Sequence, residues 1–200
     1  MIVPVVNLKG GCGKTTAAIA LATAAAQRGL RAAVYDADPQ GSATDWAMVA
    51  AEAGDPLPFE VRSANIAVTR RMRSRVGEDE WAFVDCPPSG AVTDEAVRAA
   101  DFVVVPTSPS PIDLEKTWET CASLRAQSAP YAILLCQAEA NTRTLRFALQ
   151  QLDDRGESYF ETVVPKRQAL ASFYGNAFGD ELYGYGEVLA EIEEAVSRWQ

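Results

Sequence analysis

The chain has 200 residues, of which 48% are apolar and 22% charged, with a formal charge of −9 and no histidine. That length and composition support one substantial buried core and exclude a disordered chain, and no run approaches the roughly 20 apolar residues of a membrane-spanning helix. Without imidazole, proton handling falls to carboxylates and any metal is expected to be Mg²⁺ held by oxygen, while the surplus negative charge repels nucleic acid except at a local basic patch.

The chain opens on an apolar strand, predicted over Ile2 to Asn7, with no basic and apolar leader ahead of it, so a cytosolic protein is expected. Pro4 is awkward there, because a proline inside a central strand removes a ladder hydrogen bond. Lys9-Gly10-Gly11-Cys12-Gly13-Lys14-Thr15-Thr16 follows and leads into a helix predicted over Thr15 to Arg28, closed by Gly29. This pattern is a phosphate cradle. Glycines let the backbone approach phosphate oxygens, and the helix start aims free N–H groups and partial positive charge at them. Lys14 is placed to reach the β- and γ-phosphates and the Thr15 hydroxyl to hold Mg²⁺. Leu8 stands where the usual loop has glycine, and Lys9 is an additional lysine. The chain has only four lysines, Lys9, Lys14, Lys116 and Lys166, and the loop holds Lys9 and Lys14.

A second strand, Ala32 to Tyr35, ends in Asp36-Ala37-Asp38-Pro39-Gln40-Gly41, which puts two carboxylates at the sheet edge where ligands bind in such folds. Further strands are predicted over Phe59 to Arg62, Trp81 to Val84, Phe102 to Pro106, Ala132 to Cys136 and Thr162 to Val164. The fourth ends at Asp85, a carboxylate after an apolar run, as metal coordination through bound water requires. Helices are predicted over Ser42 to Ala53, Asn65 to Val76, Thr93 to Ala100, Asp113 to Gln127, Thr142 to Asp153 and Glu187 to Trp199. Seven strands alternating with helices predict a single α/β domain over residues 1–200, doubly wound around a mostly parallel seven-stranded sheet. Cys12, Cys86, Cys121 and Cys136 lack Cys-x-x-Cys spacing and are read as isolated reduced thiols. Arg70, Arg71, Arg73 and Arg75 form a basic run followed by Glu78-Asp79-Glu80, which fits a solvated face.

On Lys9 to Thr16, Asp36 to Gly41, Asp85 and the run Val105 to Asp113, the chain resembles the ParA/MinD family of P-loop ATPases with a deviant Walker A loop, and within it the short ParF-like partition proteins. The resemblance implies ATP as substrate and Mg²⁺ as cofactor, with slow hydrolysis. It assigns phosphate binding to Gly10, Gly11, Cys12, Gly13, Lys14, Thr15 and Thr16, and metal support to Thr15, Asp38 and Asp85. Asp38 would position the attacking water, and Lys9 would reach across an ATP-dependent homodimer to the partner's phosphates. Pro165, Arg167 and Gln168 would pack on the base, whereas Cys136-Gln137 stands where relatives often have asparagine. The implied partners are a small centromere-binding or cargo-adaptor protein and non-specific DNA, met through Arg143, Arg146, Lys166 and Arg167, with association to the nucleoid. Positioning of a protein cluster, or an ATP-gated scaffold, is the alternative. Membrane attachment of the MinD kind is not expected, because the C-terminal helix presents acidic residues that anionic lipid repels.

Overall fold

The computed structural model describes residues 1–168, 170 and 173–198. The strands are β1 (Ile2–Val5), β2 (Arg31–Asp36), β3 (Glu60–Ser63), β4 (Glu80–Asp85), β5 (Val103–Thr107) and β6 (Tyr131–Leu135). They form one parallel sheet in the order β3-β2-β4-β1-β5-β6. The helices are α1 (Lys14–Gln27), α2 (Ser42–Glu52), α3 (Ile66–Thr69), α4 (Met72–Arg75), α5 (Ala91–Ala99), α6 (Pro111–Ala126), α7 (Arg143–Arg155) and α8 (Tyr185–Ser197). The predicted C-terminal helix reached Trp199, which lies outside the described residues. Among the described residues, no helix is long and apolar enough to cross a membrane.

Alternation along each strand builds two cores. Val3, Val5, Val34, Phe83 and Val104 face α1, α2 and α8, while Ile2, Ala33, Val84, Val105 and Ile133 face α4 to α7. α1 is apolar all round and rich in buried alanine, so it lies close against the sheet and under α8 at once. Its end is set as expected, by Gly29 at φ 75° with its N–H donating to Ala26 O. α6 starts ahead of the predicted Asp113, because Pro111 occupies its first turn and the Ser110 side chain caps the Asp113 N–H.

Among the described residues the sheet has six strands where seven were predicted. The segment at Thr162–Val164 runs beside β6, where Val164 N–H donates to Leu135 O at 2.9 Å, but the pairing amounts to isolated bridges on either side of it, Ile133 with Tyr159 and Ala138 with Pro165. Between them the chain bulges, and the N–H groups of Glu161 and Thr162 donate to the Glu191 carboxylate of α8, at 2.7 and 3.0 Å, instead of to a strand. A helix carboxylate takes the donors between the two bridges.

The helix predicted over Asn65 to Val76 is broken into α3 and α4 at Arg70 and Arg71. The break lets Met72 reach the core while Arg70 pairs with Glu95 of α5 and Arg73 with Asp101. Pro4 does sit in a central strand, opposite Val84 of β4. Ile2 N–H donates to the Asp101 side chain and Val6 N–H to Val104 O, so the donor absent at Pro4 falls between them, on the β5 side. There the β1–β5 register narrows to the single pair Val5 and Val104.

Candidate functional site

The loop between β1 and α1 is held from below by Asn7, which is buried and accepts the Lys9 N–H at 2.9 Å while its amide donates to Pro106 O at 2.9 Å. Gly11 and Gly13 adopt φ 74° and 91°, a region that disfavours side chains, so this path over the helix start needs glycine. Lys14 is buried at the start of α1, and its ammonium donates to Lys9 O at 3.0 Å, across the loop. The Cys12 thiol rests on the same carbonyl at 3.3 Å, and burial pushes its pKa up, so it stays neutral. All four cysteines are free and buried.

The Thr15 hydroxyl donates to Asp85 Oδ2 at 2.6 Å. Asp85 is 1% exposed, and burial pushes its pKa up to about 7, with the negative charges of Asp36 and Asp38 adding to the rise against the Thr15 bond and Lys14. Asp36 and Asp85 are directly opposed in the β2–β4 pairing. Asp36 Oδ2 accepts from Thr44 N and Thr44 Oγ1 of α2, at 2.8 and 2.6 Å. Asp38 is partly exposed, and its Oδ1 accepts the Gln40 N–H at 2.9 Å, which closes the turn into α2.

A cleft of about 730 Å³ runs over the loop, lined by Gly10, Gly11, Gly13, Lys14, Thr15 and Thr16 on one side and by Asp38, Pro39, Gln40, Ser42, Trp46, Pro88 and Tyr174 on the other, with Gln137 at its end. A second cavity of about 430 Å³ shares Gly13, Thr16 and Gln137 with it and continues to Val164, Pro165, Lys166, Arg167, Gln168, Leu170 and Tyr185. The cleft and its more apolar extension are thus contiguous, as a phosphorylated ligand with a flat base requires.

Most of the sequence-derived residues converge here. Gly10 to Thr16, Asp38, Pro165, Arg167 and Gln168 line the two cavities or sit in the loop between them, and Asp85 meets them through Thr15. Lys9 points elsewhere. Its ammonium is ion-paired with Asp113 at the start of α6, where Ser108 also donates at 2.7 Å. Burial alone would raise the Asp113 carboxyl, but the bonds from Lys9 and Ser108 outweigh it and hold the group below the usual carboxylate range. Arg143, Arg146 and Arg167 are exposed, whereas Lys166 is paired with Glu139 at 2.8 Å.

The sequence assigns no site role to Asp36, Trp46, Asp113, Gln137, Tyr174 or Tyr185. Asp36 shares its motif with Asp38 and was within reach; the aromatic pair was not. Tyr174 arrives from far along the chain, packed on Trp46 with ring centroids 5.5 Å apart, on a loop fixed to α2 by the Trp46 indole bond to Asn176 O. Gln137 adopts φ 53°, a strained value for a non-glycine residue, at the joint of the two cavities.

Residues 3–177 match the family model described as the CobQ/CobB/MinD/ParA nucleotide binding domain. The chain belongs to this family. Within the family, it is 34% identical to the maintenance of carboxysome distribution protein A of Halothiobacillus neapolitanus, over 82% of this chain and 78% of that protein. It is 32% identical to the chromosome-partitioning ATPase Soj of Thermus thermophilus, over 94% of this chain and 95% of that one. Its fold matches a plasmid partition protein of Borrelia burgdorferi solved with AMPPNP, with a TM-score of 0.76 at 16% identity, covering 100% of this chain and 99% of the other.

Proposed function

We propose that the chain is a ParA-type ATPase that binds Mg-ATP, pairs with a second copy while the γ-phosphate is present, and hydrolyses ATP slowly to position a cargo. The observation that carries this is the Thr15 hydroxyl set on buried Asp85 at 2.6 Å, directly under a glycine loop whose Lys14 is already turned inward. A hydroxyl, a carboxylate and phosphate oxygens are hard donors of the kind Mg²⁺ takes, so this set fits that ion. When bound, magnesium supplies neutralising charge to the phosphates.

The chain's own residues divide the remaining work. Backbone N–H groups from Gly10 to Gly13, with Lys14, hold the β- and γ-phosphates; Thr16 takes the α-phosphate; Thr15 and Asp85 support the metal. Asp38, on the far side of the cleft, orients the attacking water, since phosphoryl transfer depends on positioning more than on a strong base. The base enters the apolar cavity beside Pro165, Arg167 and Gln168. Lys9 leaves Asp113 and offsets the charge of the partner's phosphates across the dimer.

The cargo has two readings. DNA segregation with a centromere-binding adaptor agrees with the name of the Thermus relative and with the exposed Arg143, Arg146 and Arg167; such contact would be strongly weakened by salt and would place the protein on the nucleoid within the cytoplasm. Positioning of a protein cluster agrees with the name of the Halothiobacillus relative. Sedimentation with ATP, a non-hydrolysable analogue and ADP tests the common core: association with the first two and not with ADP is expected, and a sedimentation rate blind to nucleotide refutes it. Imaging of a labelled chain with marked DNA loci or protein clusters separates the cargo readings.

A further inference from the structure

We propose that Asp36 is a further residue of the cation site, holding the first turn of α2 with one carboxylate oxygen and accepting from metal-bound water with the other. The proposal rests on the reading that a magnesium nucleotide occupies the loop at Lys14 and Thr15.

Register gives the placement. Asp36 and Asp85 end adjacent strands and face each other, about 4.8 Å apart along the sheet. Their side chains leave the sheet on the same side as Val34 and Phe83, two residues earlier, which is the side packed by α1. Thr15 meets Asp85 on that side. Asp36 is 4% exposed, and its Oδ2 is fully engaged by the amide and hydroxyl of Thr44.

Its other oxygen, Oδ1, is the one buried side-chain nitrogen or oxygen atom among the described residues left without a hydrogen-bond partner. An unserved carboxylate oxygen in such a place carries an uncompensated desolvation cost, and a missing water or ion is the usual resolution. Among the described residues, the two side-chain donors at the loop are engaged elsewhere. The Thr15 hydroxyl is directed at Asp85 and the Lys14 ammonium at Lys9 O. A neutral structural water would fill the space but leave two carboxylates of like charge side by side; water held on a dication satisfies the oxygen and offsets the repulsion together.

The arrangement has a mechanical consequence. Thr44 lies in the first turn of α2, which starts at the end of the Asp38 to Gly41 turn. One carboxylate therefore links the cation to the helix that follows the proposed water-positioning residue.

Asp36→Asn tests this, because asparagine keeps an acceptor for Thr44 and replaces the open oxygen with an amide NH₂ that cannot accept. The readout is the ratio of ADP affinities with Mg²⁺ and with EDTA, measured by calorimetry, which cancels any general weakening of the pocket. That ratio is expected to fall 10- to 100-fold, and Mn²⁺ affinity of the ADP complex by electron paramagnetic resonance to fall in step, as supporting groups around metal ligands usually show. A ratio equal to the parent's overturns the assignment while leaving the proposed function intact. A parent that binds no ADP overturns both. Should the variant fail to fold, a crystal structure of the unaltered protein with ADP and Mg²⁺ decides: metal-bound water within about 3 Å of Asp36 Oδ1 supports the assignment, and water bound there by protein alone overturns it.

Discussion

Replacing Asp85 with asparagine should make the ligand-free protein more stable above neutral pH while abolishing its response to magnesium. Asp85 is 1% exposed, and its pKa stands at about 7 against an ordinary 3.8, chiefly through burial and then through Asp36 and Asp38. Because the folded-state value lies above the unfolded one, the folded protein binds the proton more tightly. Its stability therefore rises as pH falls through 7 and levels off near 4, and above 7 the penalty of the buried charge is present in full. An upward displacement of roughly three pH units, at about 1.4 kcal/mol each, sets a ceiling of about 4 kcal/mol at pH 8, narrowing to about 2 kcal/mol at pH 5. Asparagine retains an oxygen for the Thr15 hydroxyl, so no buried bond is lost. Guanidinium unfolding of parent and variant at both pH values is the assay. The reasoning fails if the variant is no more stable at pH 8, or if its advantage is the same at pH 5. Calorimetry with ADP should show, in the same variant, no gain in affinity on adding Mg²⁺.

Lys14→Ala should abolish nucleotide binding, since the phosphates lose the only cation at the start of α1 that lines the cleft; titration with ATP checks it. Lys9→Ala should leave ADP affinity unchanged and remove ATP-induced association in light scattering, because its ammonium lines neither cavity of its own chain and sits on Asp113. Asp38→Ala should bind ATP, accumulate as dimer and lose roughly 100-fold or more in phosphate release. Gly175→Ala should destabilise the fold by about 1–3 kcal/mol, lowering the melting temperature by several degrees. The residue sits at φ +78°, and an added Cβ would collide with Val49 Cγ1 of α2.

The chemistry of this chain lies in local motifs, and local motifs are what a sequence displays. Glycines 10, 11 and 13, the lysine and the threonine declare a phosphate loop because backbone freedom, a helix start and a cation must coincide within a few residues. Strands two, four and five could be read from apolar runs ending at carboxylate or proline turns. The predicted strand at Thr162–Val164 failed for a reason its own residues do not carry: Glu191, on a helix some thirty positions later, takes the N–H groups that a strand would have needed. The break at Arg70 and Arg71 depends likewise on Glu95 and Asp101 of another part of the chain.

The site divides along the same line. Residues Lys9 to Thr16, Asp38, Asp85 and the Pro165 segment could be proposed for the candidate site from sequence because each belongs to a contiguous pattern or carries the family likeness. What only the folded chain decided is how distant groups meet: Tyr174 brought onto Trp46, Asp113 holding Lys9, and above all Asp36 opposed to Asp85 with one oxygen unserved. Hydrogen-bond satisfaction and charge proximity are pairwise properties of atoms in space, so strand order and register had to exist before either could be known.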